Sequence, residues 1–268
     1  MGEGAFHRDD ADVRTRCEAD PRAARGMSRA LGLVLVLGMA GWSRIVPLRV
    51  AVGRSRLQAG AESSQVFRED FGVGWKDRWM ETVLSRRRTR YVVVQEAGEP
   101  VLRARSNQSA SALWHRLALR TGVKGQVSWR WRVEASLSQN EHERERRGDD
   151  YVARLFVVFD SDRLGPHTQA LCYVWAAREA VGAVYRSPYA SGVATIVVES
   201  GDVRAKQWVA EKRDLVVDYR NVFGMTPKTV TAVAIMVDTD NTDLSATAWF
   251  ARIELTSSGS APGRETAP

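Results

Sequence analysis

Between residues 91 and 255 the chain is built from ten short runs rich in Val, Ile, Tyr, Trp and Thr, each broken off by Gly, Pro, Asn or Asp. β-branched and aromatic residues at that spacing favour extended backbone, and the breakers supply turns. Strands are expected at 91–95, 101–106, 112–119, 125–133, 151–159, 170–176, 193–199, 208–213, 229–237 and 247–255. No repeat period is present, and the runs do not alternate with long amphipathic helices, which excludes a doubly wound parallel sheet. The fold class that remains is all-β: a two-sheet antiparallel β-sandwich, jelly-roll-like, with one short helix.

The period of two along a strand assigns faces. Tyr151, Ala153, Leu155, Val157 and Phe159 share a side that is apolar throughout, and Arg154, Phe156 and Val158 share the other. In the last run Trp249, Ala251, Ile253 and Leu255 are expected on the core side, with Phe250, Arg252 and Glu254 opposite. The helix is expected after Asp214, where Leu215, Tyr219 and Val222 recur at helical spacing, Asp214 caps the start and Gly224 stops it. Segment 141–148 alternates charge sign without an apolar stripe and reads as a mobile loop.

Three parts are expected along the chain. Residues 1–61 form a leader whose apolar run, 31–42, follows a basic start at Met27, the residue expected to be the true initiator. A membrane-spanning helix needs about 20 apolar residues. Arg44 cuts this run short, so it reads as a secretory signal, and membrane contact is expected only through an uncleaved N-terminal segment. Residues 62–256 form the sandwich, and 257–268 have the composition of a disordered tail. The expected location is the periplasm or outside the cell. Cys17 falls in the leader, so the domain keeps one thiol, Cys172, set among apolar neighbours and expected to be buried.

A formal charge of +7 raises nucleic acid as a partner. Ten Arg against six Asp or Glu precede Glu62, however, which leaves 29 basic against 26 acidic residues beyond it. That near balance, with scattered Arg, argues against a nucleic-acid surface. No nucleophile elbow, phosphate loop or dinucleotide fingerprint is present, and the four histidines lack zinc-ligand spacing, so no metal ligand set is assigned.

Two polar groups stand out. Asp238, Asp240 and Asn241 lie in an Asx-rich turn between two apolar runs, and Asp149 and Asp150 precede Arg154 on a strand. The turn reads either as a hairpin whose side chains bond their own backbone or as a binding loop. A helix-loop-helix calcium motif is excluded, because Asp243 stands where that motif needs Gly and Trp249 where it needs Glu. Calcium is still the one cofactor these oxygens leave open. Both groups are expected to form one polar site, since buried charges need partners. With Asp218 from the helix, the candidate ligand-binding residues are Asp149, Asp150, Arg154, Asp218, Asp238, Asp240 and Asn241. Trp129, Trp131, Trp175 and Trp208 read as core, with a sugar platform as the alternative.

Five segments, Trp129-Arg-Trp-Arg-Val133, Gly148-Asp-Asp-Tyr-Val-Ala-Arg154, Leu171-Cys-Tyr-Val-Trp-Ala176, Arg213-Asp-Leu-Val-Val-Asp-Tyr-Arg220 and Asp238-Thr-Asp-Asn-Thr242, together resemble the bacterial family called domain of unknown function 3047. The resemblance spans about Phe67 to Leu255. It implies an exported domain and brings no catalytic residue, ligand or cofactor. The function expected from the residues is an exported, non-catalytic carbohydrate-binding-like module for a glycan or other envelope polymer. The alternatives are a polysaccharide hydrolase or lyase using Asp and Glu carboxylates, and an envelope structural or assembly protein that binds another envelope protein.

Overall fold

A computed structural model describes residues 63–121, 124–159 and 168–259. The whole of the expected leader, residues 1–61, lies outside the described residues, as do residue 62 and the end of the tail, 260–268. The strands are β1 (Ser63–Glu69), β2 (Met80–Val83), β3 (Arg90–Glu96), β4 (Glu99–Asn107), β5 (Ser111–Arg120), β6 (Lys124–Val133), β7 (Ala153–Phe159), β8 (Gln169–Ala176), β9 (Val184–Arg186), β10 (Val193–Ser200), β11 (Val209–Asp214), β12 (Thr229–Met236) and β13 (Ser245–Gly259). Two helices accompany them, α1 (Trp75–Arg78) and α2 (Leu215–Phe223).

These strands form the expected two-sheet sandwich. The six-stranded sheet runs β11-β6-β13-β4-β3, with β1 continuing beside the second half of β13, and the seven-stranded sheet runs β2-β5-β12-β7-β8-β10-β9. One pair departs from the antiparallel expectation: β8 and β10 are parallel. Parallel neighbours need a long crossover, and residues 177–192 supply it, placing β9 on the outer edge of β10. The strands not foreseen, β1, β2 and β9, lie at or near sheet edges, where one-sided pairing demands little apolar pattern.

The inner faces enclose Trp129, Trp131, Tyr173, Trp175, Leu155, Phe250 and Ile253, all at most 1% exposed. Each such side chain contributes roughly 1.5–3 kcal/mol relative to remaining in water. The edge-to-face contact of Trp129 and Trp131, with ring centroids 5.3 Å apart, fills the middle of this core. α2 starts as expected: Asp214 accepts from the amides of Val216 and Val217 at 2.9 and 3.0 Å, and Gly224 ends the helix at φ 73°. Leu215 and Tyr219 then face the core.

The face assignments need two corrections. β7 begins at Ala153, so Tyr151 escapes its alternation and packs on the outer side of the sheet with Cys172 and Val174. In β13 a bulge at Arg252, whose φ is 51°, shifts the register between Ala251 and Glu254. Phe250 therefore faces the core before the bulge and Ile253 and Leu255 after it, while Trp249 and Ala251 point outward. A single residue of slip inverts the side of every residue that follows. β13 also extends to Gly259, paired with Ser63, past the point where composition alone suggested order would end.

Segment 141–148 is fixed rather than mobile. Glu143 is buried and accepts from the amides of Ala177, Arg178 and Glu179 at 2.6, 2.9 and 3.0 Å, and Asn140 donates to the Gly148 carbonyl at 2.7 Å. Alternating charge gave no sign of this, because the anchor is one carboxylate capping a distant turn. A methyl group on Gly148 would stand 2.4 Å from the His142 carbonyl oxygen and 2.6 Å from Asn140 Oδ1. Gly148→Ala should accordingly lower unfolding stability by roughly 1–3 kcal/mol in urea titrations; an unchanged midpoint would mean that the segment yields freely.

Candidate functional site

The two predicted polar segments meet on the outer face of the seven-stranded sheet. Arg154 stands on β7 opposite Met236, the last residue of β12, so that Asp238 falls just beyond the strand end and within reach. Arg154 Nε donates to Asp238 Oδ1 at 2.9 Å and Nη2 to Oδ2 at 2.5 Å, a two-pronged contact. Nη1 reaches Asp149 Oδ1 at 3.2 Å, and Nη2 also donates to the Asp149 carbonyl. Tyr151 lies under the guanidinium, 4.4 Å from ring centroid to Cζ. Arg154 is 1% exposed.

Asp150 holds the other side of the junction. It accepts from the backbone amide and the side-chain amide of Asn241, at 3.0 and 2.9 Å, and from the amide and hydroxyl of Thr242, both at 2.7 Å. The Tyr189 hydroxyl lies 2.8 Å from Asn241 Oδ1 and closes the rim. Beneath the turn is a hydroxyl cluster that the sequence did not flag. Ser106 Oγ stands 2.7 Å from Thr239 Oγ1 and 2.9 Å from Ser109 Oγ, and Thr89 donates to the Val237 carbonyl at 2.8 Å. Such isolated hydroxyls carry no sequence signal, since three different strand ends bring them together.

The electrostatics are unbalanced. Burial pushes the Asp149 carboxyl up to about 6 against the pull of Arg154, and burial with the nearby Asp150 charge pushes Asp240 up to about 6 as well. Burial also drives Asp238 upward, opposed by the Arg154 fork. Asp149 Oδ2 is buried with no hydrogen-bond partner among the described residues. Cys172 lies beside Arg154, and burial raises its thiol well above the ordinary range, which matches the inert, buried cysteine expected.

Asp218 belongs elsewhere. It accepts from Tyr173 at 2.9 Å and from both Nε and Nη2 of Arg213, at 2.9 and 2.6 Å, toward the inter-sheet core. It lines a cleft of about 320 Å³ between α2, β10 and β11, together with Glu211 and Asn221. The Glu211 carboxyl hydrogen-bonds Glu199 and accepts from Trp131 Nε1 at 3.3 Å, and burial with the Glu199 charge pushes it up to about 7.

A second surface was not foreseen as a whole. On the outer face of the six-stranded sheet Trp249 stands between Arg132 of β6 and Arg103 of β4, Thr247 beside Arg105, and Ala251 beside Arg130. β3 adds Arg90 and Glu96 on the same face. Arg132 Cζ lies 4.2 Å from the Trp249 centroid and 5.2 Å from that of Trp208, and Arg130 is 5.0 Å from Trp208. Arg132 also reaches Glu96 at 2.7 Å, and Arg103 Nε is buried without a partner among the described residues. Of the four tryptophans weighed as a platform, Trp129, Trp131 and Trp175 are core, and only Trp208 lies out on this face. The signal was present in the alternation Trp129-Arg-Trp-Arg, whose arginines face outward because its tryptophans face in.

The family model described as "Protein of unknown function (DUF3047)" matches residues 77–254. The chain belongs to this family. The DUF3047 match contains both polar segments and the Trp-Arg alternation but stops short of β1 and the end of β13. No curated protein matches the chain. Among solved structures, the family 11 carbohydrate-binding module of the cellulase Lic26A-Cel5E of Clostridium thermocellum aligns at 9% identity and TM-score 0.40, covering 75% of this chain and 97% of that one. The CBM22-1 xylan-binding domain of Xyn10C from Paenibacillus barcinonensis aligns at 11% identity and TM-score 0.40, covering 75% and 100%. The K1 cleaved adhesin domain of Lys-gingipain from Porphyromonas gingivalis W83 aligns at 12% identity and TM-score 0.39, covering 73% and 99%.

Glu211 yields a pH prediction for this DUF3047 domain. Its folded value, about 7, lies above the value of an unfolded carboxyl, near 4.3, so the native state binds the proton more tightly. The associated stability is present at acidic pH and is lost as pH rises from about 4.3 through 7. Glu211→Gln keeps a donor toward Glu199 and removes the charge. Thermal unfolding should place the variant about 1–2 kcal/mol above the parent at pH 8, after allowance for partial solvent screening, and level with it near pH 4.5. Parallel pH profiles would show that Glu211 is not protonated in the fold.

Proposed function

We propose that the domain is a non-catalytic binding module acting outside the cytoplasm, and that it takes an acidic glycan on the outer face of its six-stranded sheet. The observation that carries this reading is the array of Arg90, Arg103, Arg105, Arg130 and Arg132 around Trp208 and Trp249, which outnumbers Glu96, Glu99 and Glu254 on the same face. Indole rings give a sugar ring an apolar surface to lie on. Guanidinium groups give planar, two-pronged contacts to carboxylates such as those of uronic acids. Export to the periplasm or beyond rests on the leader, whose short apolar run follows a basic start. No described helix is long and apolar enough to cross a membrane.

Hydrolysis fits the geometry less well. Glycoside hydrolysis needs two carboxyls about 5–9.5 Å apart, so that the scissile bond, and in one stereochemical course a water, fits between them. Glu199 and Glu211 are hydrogen-bonded to each other, and Asp150 and Asp238 are buried with their oxygens accepting from Asn241, Thr242 and Arg154.

Affinity electrophoresis of the full chain through polygalacturonate, a neutral β-glucan and no polymer tests the proposal. Retardation by the acidic polymer alone is expected. Trp208→Ala and Arg132→Gln should each weaken binding about tenfold, the loss of roughly 1.4 kcal/mol for an anchoring side chain, with thermal unfolding little changed. Retardation by neither polymer, or equal binding to single-stranded nucleic acid, would overturn it.

A further inference from the structure

Four carboxylates, Asp149, Asp150, Asp238 and Asp240, converge where residues 149–154 meet the turn after β12, and among the described residues Arg154 is the one cation bonded to them. Asp149, Asp150 and Asp238 are buried, at 2%, 0% and 1% exposure, and Asp240 is partly open. Like charges so placed repel strongly in a medium that screens them poorly. One fork from Arg154 does not balance them.

Three features give the cluster the form of a cation site. Asp150, Asp238 and Asp240 each present an oxygen within 4.8 Å of the others. Oxygens bound to one calcium ion at 2.3–2.6 Å are separated by at most about 5 Å, so this triangle is the right size. The buried Asp149 Oδ2 has no partner among the described residues, and its carboxyl is close enough to feel the charges of both Asp150 and Asp240. Two carboxylates are also fixed in position: Asp150 by the Asn241 and Thr242 donors, and Asp238 by Arg154. The donors are all oxygen, with neither His nor thiolate among them, which disfavours zinc. Their spread over two chain segments suits the irregular coordination of calcium better than the strict octahedron of magnesium.

We propose that these carboxylates bind one calcium ion, with Asp150, Asp238 and Asp240 as ligands, Asp149 Oδ2 turned toward the ion and water entering beside Asp240. The ion ties the start of β7 to the crossover between β12 and β13. This site is independent of the glycan reading and lies on the opposite sheet. Asp240, at the rim, makes the gentlest probe, and Asp240→Asn is expected to fold.

Full-length protein, stripped with chelator and checked for residual calcium by elemental analysis, is titrated with calcium chloride by calorimetry and followed in thermal unfolding. One equivalent should bind, magnesium should compete poorly, and the unfolding temperature should rise by roughly 5 °C at hundredfold saturation. If calcium survives chelation, elemental analysis should find one equivalent in the parent and none in Asp240→Asn. In the stripped case Asp240→Asn and Asp149→Asn should each weaken binding at least about tenfold. A folded parent with no bound calcium, no titration heat and no thermal shift at millimolar calcium would overturn the proposal. So would a calcium response that persists unchanged in both variants.

Discussion

A guanidinium buried in a β-sandwich needs carboxylates around it, and the contact of Arg154 with Asp238 sets how much of this fold is joined. Several kcal/mol are lost on taking either ion out of water, and the pair recovers this only through good geometry and further bonds. Here the fork meets both oxygens of Asp238, the third guanidinium nitrogen reaches Asp149, and Tyr151 covers the group. The result couples residues 149–154, which enter β7, to the chain leaving β12 for the other sheet. Asp150 repeats the join one step outward through Asn241 and Thr242.

This junction separates two roles that one sequence pattern had merged. The acidic residues looked like a ligand surface because they sit in turns, where binding groups are often found. In the fold Asp149, Asp150 and Asp238 are buried and bonded to Arg154, Asn241 and Thr242, so they tie the start of β7 to the turn after β12. The exposed Arg90 and Arg105 and the partly exposed Arg130, Arg132 and Trp208 lie instead on the other sheet, across β3, β4, β6 and the entry to β11. A sheet face suits an extended polymer because its side chains stand in rows at fixed spacing.

The sequence was most informative where one local rule decided the outcome. Asp214 and Gly224 framed α2 because capping depends on a few adjacent residues, and the Val- and Trp-rich runs located the central strands. It was least informative where a distant contact or a single backbone angle decided. Arg252 at positive φ inverted the faces of β13, and Glu143 fixed a loop whose charge pattern read as mobile. The parallel β8–β10 pair likewise follows from the path of residues 177–192, not from either strand's composition. The meeting of Asp149, Asp150 and Arg154 with Asp238, Asp240 and Asn241 could be anticipated, because buried charges require partners. Asp218 could not be separated from them in advance, since an aspartate on α2 gives no sign of which sheet it faces.

A double-mutant cycle on Arg154 and Asp238, read by urea unfolding of the folded domain, tests the central claim most directly. Arg154→Ala and Asp238→Ala should each cost about 3–5 kcal/mol by stranding the other charge, and the double variant should cost clearly less than their sum. Strictly additive losses, or single variants as stable as the parent, would contradict the claim that this contact joins the entry of β7 to the turn after β12.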